Sequence, residues 1–167
     1  DFDQAIKLDG KNAVAFNNRG VAHRNKGDRD RAIADFEQAI RLNENYAAAY
    51  ANRGSVYYDK RDLDRAIADF TQAIKFNAKD AVAYHDRAVA HYDKREFDKS
   101  IEDFEQAIKL AQSYSISTRP DGADVRSQRG YDRGTMQLAQ PLRVSPVFAL
   151  ALNDRGIVAA ARNDYDK

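Results

Sequence analysis

The chain has 167 residues, 43% of them hydrophobic and 32% charged, which is enough for one ordinary domain and too polar to lie in a membrane. Its 27 basic and 26 acidic side chains nearly cancel, so no bulk field draws it toward nucleic acid or anionic lipid. The absence of cysteine excludes disulfides, thiolate metal sites and cysteine nucleophiles, and leaves cytoplasm and periplasm equally open.

The first predicted element is the heptapeptide FDQAIKL at 2–8. It returns as FEQAIRL at 36–42, FTQAIKF at 70–76 and FEQAIKL at 104–110, so the leading phenylalanine steps from 2 to Phe36, Phe70 and Phe104 by 34 residues each time. A constant step of that size predicts stacked supersecondary units. Ahead of Phe36, the residues Phe16, Gly20 and His23 fall on one helical face until Lys26-Gly27-Asp28 interrupts; this is helix A of the first complete unit. Ala32, Ile33, Phe36, Ala39 and Ile40 then keep three-four spacing up to Asn43, with Asp28 or Asp30 to cap the start; this is helix B. The second unit repeats the scheme with Tyr50, Gly54 and Tyr57, then Ala66, Ile67, Phe70, Ala73 and Ile74. The third has Tyr84, Ala88 and His91, then Ser100, Ile101, Phe104, Ala107 and Ile108.

A glycine inside a helix costs about 1 kcal/mol relative to alanine. Gly20 and Gly54 therefore call for close packing, with small residues at 20, 54 and 88 facing those at 32, 66 and 100 and at 39, 73 and 107. Phe36, Phe70 and Phe104 would fill the space between the two backbones.

From 111 to 146 the pattern weakens, and this stretch holds all three prolines. Register favours a degenerate repeat over an irregular segment, because Gly156 lies 68 residues after Ala88, twice the step. YDRGTMQLAQPLRV (131–144) also aligns with FDKSIEDFEQAIKL (97–110). The RGYDRG string is far short of an Arg-Gly tract, so it does not argue for RNA binding. A clear helix A resumes at 147–162, and residues to 167 begin its helix B. The expected organisation is an array over 1–110 (a partial first unit and three full helix pairs), the degenerate segment 111–146, and a further unit from 147. The chain opens on DFDQ and stops at NDYDK, both inside units, and so reads as a piece of a longer protein.

The unit NAVAFNNRGVAHRNKGDRDRAIADFEQAIRLNEN resembles a tetratricopeptide repeat, of the bacterial kind with NRG in helix A. The resemblance implies an all-α fold, a right-handed α-solenoid of stacked antiparallel helix pairs whose A helices line the concave side. Two positions depart from the family pattern. Glu44 and Ala78 stand where proline is usual, and Arg19, Arg53, Arg87 and Arg155 stand where leucine is usual. The arginine row is expected to pair with Asp35, Asp69 and Asp103.

No convergent catalytic set is visible, and no phosphate-loop, dinucleotide, nucleophile-elbow or zinc-protease string occurs. His23 and His91 share the core position of Tyr57, and His85 and His91 lie about 120° apart on a helix, so neither a metal site nor a cofactor is expected. The reading is a non-enzymatic scaffold that binds a protein or peptide, with no nucleic-acid or membrane partner. Opposite the core stripe of helix A lie Val14, Asn18, Val21 and Asn25, then Ala48, Asn52, Ser55 and Asp59, then Val82, Asp86, Val89 and Asp93. By the resemblance these floor a groove, walled by Asn17, Ala51 and His85 and by Arg24, Tyr58 and Tyr92. Peptide-holding members of the family use an asparagine row at the matching place, which here turns acidic toward Asp86 and Asp154. The groove therefore suits a neutral to basic segment, and the family's carboxylate clamp finds only Arg24 nearby. Simple solvation of an exposed helix face is the competing account of the polar row. A targeting or regulatory segment of a larger transferase or peptidase, and head-to-tail self-association, stay open as alternatives.

Overall fold

The computed structural model describes residues 2–116 and 146–165. All regular structure among them is helical: α1 (Phe2–Leu8), α2 (Ala13–Asn25), α3 (Arg29–Leu42), α4 (Ala47–Asp59), α5 (Leu63–Phe76), α6 (Ala81–Asp93), α7 (Phe97–Ile116) and α8 (Pro146–Tyr165). The even-numbered helices are of the A type and the odd-numbered ones of the B type.

Several helices start and stop for a local reason. Asn12, Asp28, Asp62 and Asp80 accept hydrogen bonds from the backbone N–H groups that the first turn leaves unpaired. Of the two candidate caps for α3, Asp28 is the one used. The A-to-B turn needs a left-handed residue, which is Gly27 in the first unit (φ 81°) but Arg61 and Arg95 in the next two (φ 63° and 61°). Asn43 and Asn77 end α3 and α5, and their side chains accept from the N–H two residues on, forming Asx turns. In the third unit that position is Ala111. Without an asparagine to compete for the backbone, α7 runs on to Ile116, past the Leu110 end expected from the sequence.

Within each pair the small residues permit the contact. A Cβ built on Gly20 would lie 2.7 Å from Phe36 Cε1, and one on Gly54 3.0 Å from Phe70 Cε1. In the third unit Ser100 Oγ donates to the Ala88 carbonyl at 2.8 Å, so the two backbones are as close there as a serine can bridge. Phe36, Phe70 and Phe104 are fully enclosed. A second buried row on the A helices meets the preceding pair: Val56 packs with Ala32 and Phe36, Ala83 with Ala73 and Ile74, Ala90 with Ala66 and Phe70, and Ala151 and Val158 with Phe104 and Ala107. Ala15 and Ala49 are buried at the equivalent positions. His23, read as a core residue, is only partly buried, whereas His91 is enclosed.

Neighbouring A helices touch (α2 with α4, α4 with α6, α6 with α8), while no contact joins one B helix to the next among the described residues. Helices crowded on one side and spread on the other make a curved stack with the A helices on the inner face.

The position of α8 follows from three contacts. In the regular units an A-helix arginine reaches back 16 residues (Arg87 to Thr71), a turn lysine reaches back 30 (Lys94 to Asp64), and an inner-face polar pair spans 35 (Asn17 to Asn52). On α8, Arg155 meets Glu105 (3.7 Å), Arg162 meets Asp98 (3.0 Å) and Asp154 meets His85 (3.0 Å). These span 50, 64 and 69 residues, each one 34-residue step longer than its counterpart. α8 thus packs on α6 and α7 as the A helix directly after the third pair. The degenerate-repeat reading of 111–146 falls almost wholly on 117–145, outside the described residues.

Candidate functional site

Two arrays of polar side chains run along the stack. The first is buried. Arg19 donates through Nε and Nη2 to Asp35 at 2.9 and 2.7 Å, Arg53 to Asp69 at 2.8 and 2.7 Å, and Arg87 to Asp103 at 2.7 and 2.6 Å. Each guanidinium also lies over the ring three residues before it, Phe16, Tyr50 or Tyr84, at 5.5–5.8 Å. The three aspartates are almost fully buried, so the arginine that replaces the usual leucine is the partner that makes their charge tolerable. In return the carboxylate holds each guanidinium more firmly protonated than usual. This array belongs to the fold, as the sequence predicts.

The second array lies on the inner face. Val14 is 53% exposed at its N-terminal end, and Asn18, Val21, Arg24, Asn52, Ser55, Tyr58, Asp86, Val89 and Tyr92 are partly exposed along it. Val21 also packs on Ala32, Phe36 and Val56, and Val89 and Tyr92 pack on the core around Phe104, so these side chains are shared between core and face. Three residues assigned to the wall sit deeper, Ala51 among them at 6% exposed. Asn17 is 6% exposed, and the His85 ring is wedged between α6 and α8.

Asn17 links the two asparagines in front of it. Asn52 Nδ2 donates to Asn17 Oδ1 at 2.9 Å, and Asn17 Nδ2 donates to Asn18 Oδ1 at 3.4 Å. This sequence of donors leaves the Asn18 amide hydrogens and the Asn52 carbonyl available to a ligand. Ser55 Oγ, by contrast, donates to the Ala51 carbonyl at 2.9 Å and is turned onto its own helix. Further along, Arg24 Nε donates to Asp59 at 3.2 Å, and Asp93 Oδ2 accepts from both Tyr58 Oη (2.8 Å) and Arg61 Nη1 (2.6 Å). Burial, with the Asp93 hydrogen bond second, pushes the Tyr58 phenol up to about 12.

The edge ladder Lys60–Asp30 (2.7 Å) and Lys94–Asp64 (2.6 Å) escaped sequence reasoning, although lysine at 26, 60 and 94 and aspartate at 30, 64 and 98 recur at the repeat step. Among the described residues, no group of three or more His, Asp or Glu side chains is arranged to hold a metal ion. No described helix is long and apolar enough to cross a membrane.

Comparison with known proteins bears on this geometry. Tetratricopeptide repeat family models match residues 17–82 and 81–114, together 98 of the 167 residues. Among solved structures, the crystal structure of MamA is similar over 97% of this chain and 79% of its own, at 20% identity and a TM-score of 0.63. The Arabidopsis OM64 TPR domain is 24% identical, covering 60% of this chain and 84% of its own with a TM-score of 0.59. The second TPR of Spaghetti (RPAP3), solved bound to the HSP90 peptide SRMEEVD, is 26% identical, covering 60% of this chain and 94% of its own with a TM-score of 0.59. No curated protein matches the sequence. With helix pairs in this register and both family models in agreement, the chain belongs to the tetratricopeptide repeat family.

Proposed function

We propose that the inner face of this protein-interaction scaffold, formed by α2, α4, α6 and α8, holds an extended peptide or partner helix of neutral to basic character. The observation that carries this reading is the pairing state of the cations at the face. Arg24 is engaged by Asp59 and Arg61 by Asp93, while the row that begins with Asn18 and Asn52 continues through Asp86 to Asp154. An acidic ligand would have to displace an existing carboxylate from each guanidinium, whereas a lysine or arginine would meet Asp86 and Asp154, two carboxylates that share the single ring of His85 and so keep net negative charge. The relatives of this fold that hold the acidic HSP90 peptide support peptide recognition in general. The sign of the charge here is this chain's own.

The test is selection from a displayed random peptide library, followed by affinity measurement on the consensus peptide. The expected consensus carries Lys or Arg and weakens with added salt. Replacing Asn18 and Asn52 together by alanine should cost about tenfold in affinity, two net hydrogen bonds of about 1 kcal/mol each being an upper bound. An acidic consensus, or an affinity untouched by the double substitution, refutes the proposal.

A further inference from the structure

α8 is held to the stack by two kinds of contact. Ala151 and Val158 are buried beside Ala88, Phe104 and Ala107, which fixes its position through apolar contact. The polar contacts are Arg155–Glu105 and Arg162–Asp98 to α7, both on exposed side chains, and one contact to α6 that is partly buried. There His85 Nε2 lies 3.0 Å from Asp154 Oδ2 and Nδ1 lies 3.3 Å from Asp86 Oδ1, with the side chain 17% exposed. One imidazole thus stands between two carboxylates on two different helices.

We infer that protonated His85 fastens α8 onto α6, so that the inner face spans four helices below neutral pH and α8 loosens as the medium turns alkaline. A neutral imidazole carries one N–H and satisfies one of the two carboxylates. The imidazolium donates to both and cancels one of their charges. The groups that face the ring are Asp86 from α6, Asp154 from α8 and, from α7, the uncharged edge of Phe104 at 5.4 Å. Asn153 Nδ2 donates to the other Asp154 oxygen at 3.2 Å. Burial works against the charge on His85, but Asp86 and then Asp154 outweigh it, and the ring titrates above its ordinary 6.5. Asp86 flanks the ring on its own helix whether or not α8 is docked, so what docking adds is Asp154. The contribution this carboxylate makes by raising the docked value is fully present below the undocked value and is lost as pH rises through the docked one.

The ion pairs of Arg155 and Arg162 go to α7 and do not involve the ring. His91, also on α6, meets Glu96 at 2.7 Å and Asp103 at 4.0 Å, so its contacts run to the α6–α7 side and leave α8 aside. The inference stands whatever the inner face binds. Only its consequence for a partner rests on the function proposed above.

The experiment is amide hydrogen exchange of the whole chain at pH 6 and pH 9, with protection factors normalised for the intrinsic pH dependence. Protection of α8 should be roughly three- to tenfold higher at pH 6, the range for one partly exposed charge-assisted contact. The Asp154→Asn variant should bring that ratio to about one, and α4 should show no such change in either protein. A ratio that persists in Asp154→Asn, or an equal change in α4, overturns the inference. NMR titration of the His85 ring gives a second readout: a wild-type midpoint at or below 6.5 overturns it however the variant behaves.

Discussion

Gly20→Ala and Gly156→Ala are the same substitution at the same place in the repeat, and the structure assigns them opposite signs. In an open helix the change should stabilise by about 1 kcal/mol, because alanine restricts the unfolded chain and covers backbone. At Gly20 the new Cβ would stand 2.7, 2.9 and 3.1 Å from three atoms of the Phe36 ring, against about 3.5–4.0 Å for an ordinary carbon contact. Phe36 is 0% exposed and packed against Ala32 and Val56, so the ring can retreat only by moving its neighbours. Overpacking of this kind costs about 1–3 kcal/mol. The lower half of that range applies, because Ala88 already carries a Cβ in the corresponding slot above Phe104. Set against the propensity gain of about 1 kcal/mol, the net for Gly20→Ala is a destabilisation of about 0.5 kcal/mol, or about 1–2 °C in Tm for a chain of this size. At Gly156 nothing among the described residues lies within 4 Å, so the helix-propensity gain of up to about 1 kcal/mol survives. Thermal and urea unfolding followed by circular dichroism, with local exchange in α2 and α8 to guard against uncoupled melting of the stack, measures both. A Gly20→Ala protein more stable than the wild type refutes the close-packing argument, and so does a Gly156→Ala protein less stable than it.

Two further outcomes follow from buried charge. Arg53→Met should destabilise by about 3 kcal/mol, since it leaves the 5% exposed Asp69 without its bidentate partner, and adding Asp69→Leu should recover most of that loss in chemical unfolding. The Tyr58 phenol should ionise with a midpoint of about 12 in a titration followed by phenolate absorbance, and Asp93→Asn should move the midpoint toward 10. Because the folded value is the higher, Tyr58 supports the fold fully below about 10 and withdraws that support as pH rises through about 12.

The arginine row shows how much a single sequence can reveal. Arg19, Arg53 and Arg87 each precede an aspartate by sixteen residues, and a helix pair with a short turn returns the chain to the same level after that distance. Spacing alone therefore predicts the three ion pairs that the structure contains. The inner face was less legible. A helical wheel places Asn17 beside Asn18, but whether an asparagine opens to a ligand or sits between two helices depends on how near the next A helix comes. The buried alanines at 15, 49 and 83 recur at the repeat step, yet nothing local distinguishes a helix-forming alanine from one that marks a neighbour's approach.

The repeat length, the helix pairs, their caps and turns, and the close-packed glycines are determined by the sequence itself, because each depends on contacts within about forty residues that recur at every step. The place of α8 and the surroundings of His85 were decided only in the tertiary structure. His85 and Asp154 are 69 residues apart in the chain, and counting by the repeat step puts Gly156 two steps after Ala88, whereas α8 packs directly on α6 and α7. Stacking energy depends on which apolar face meets which, and it is the same for any A helix that presents alanine and valine to the third pair. The chain order of the helices therefore left the register open, and the contacts closed it.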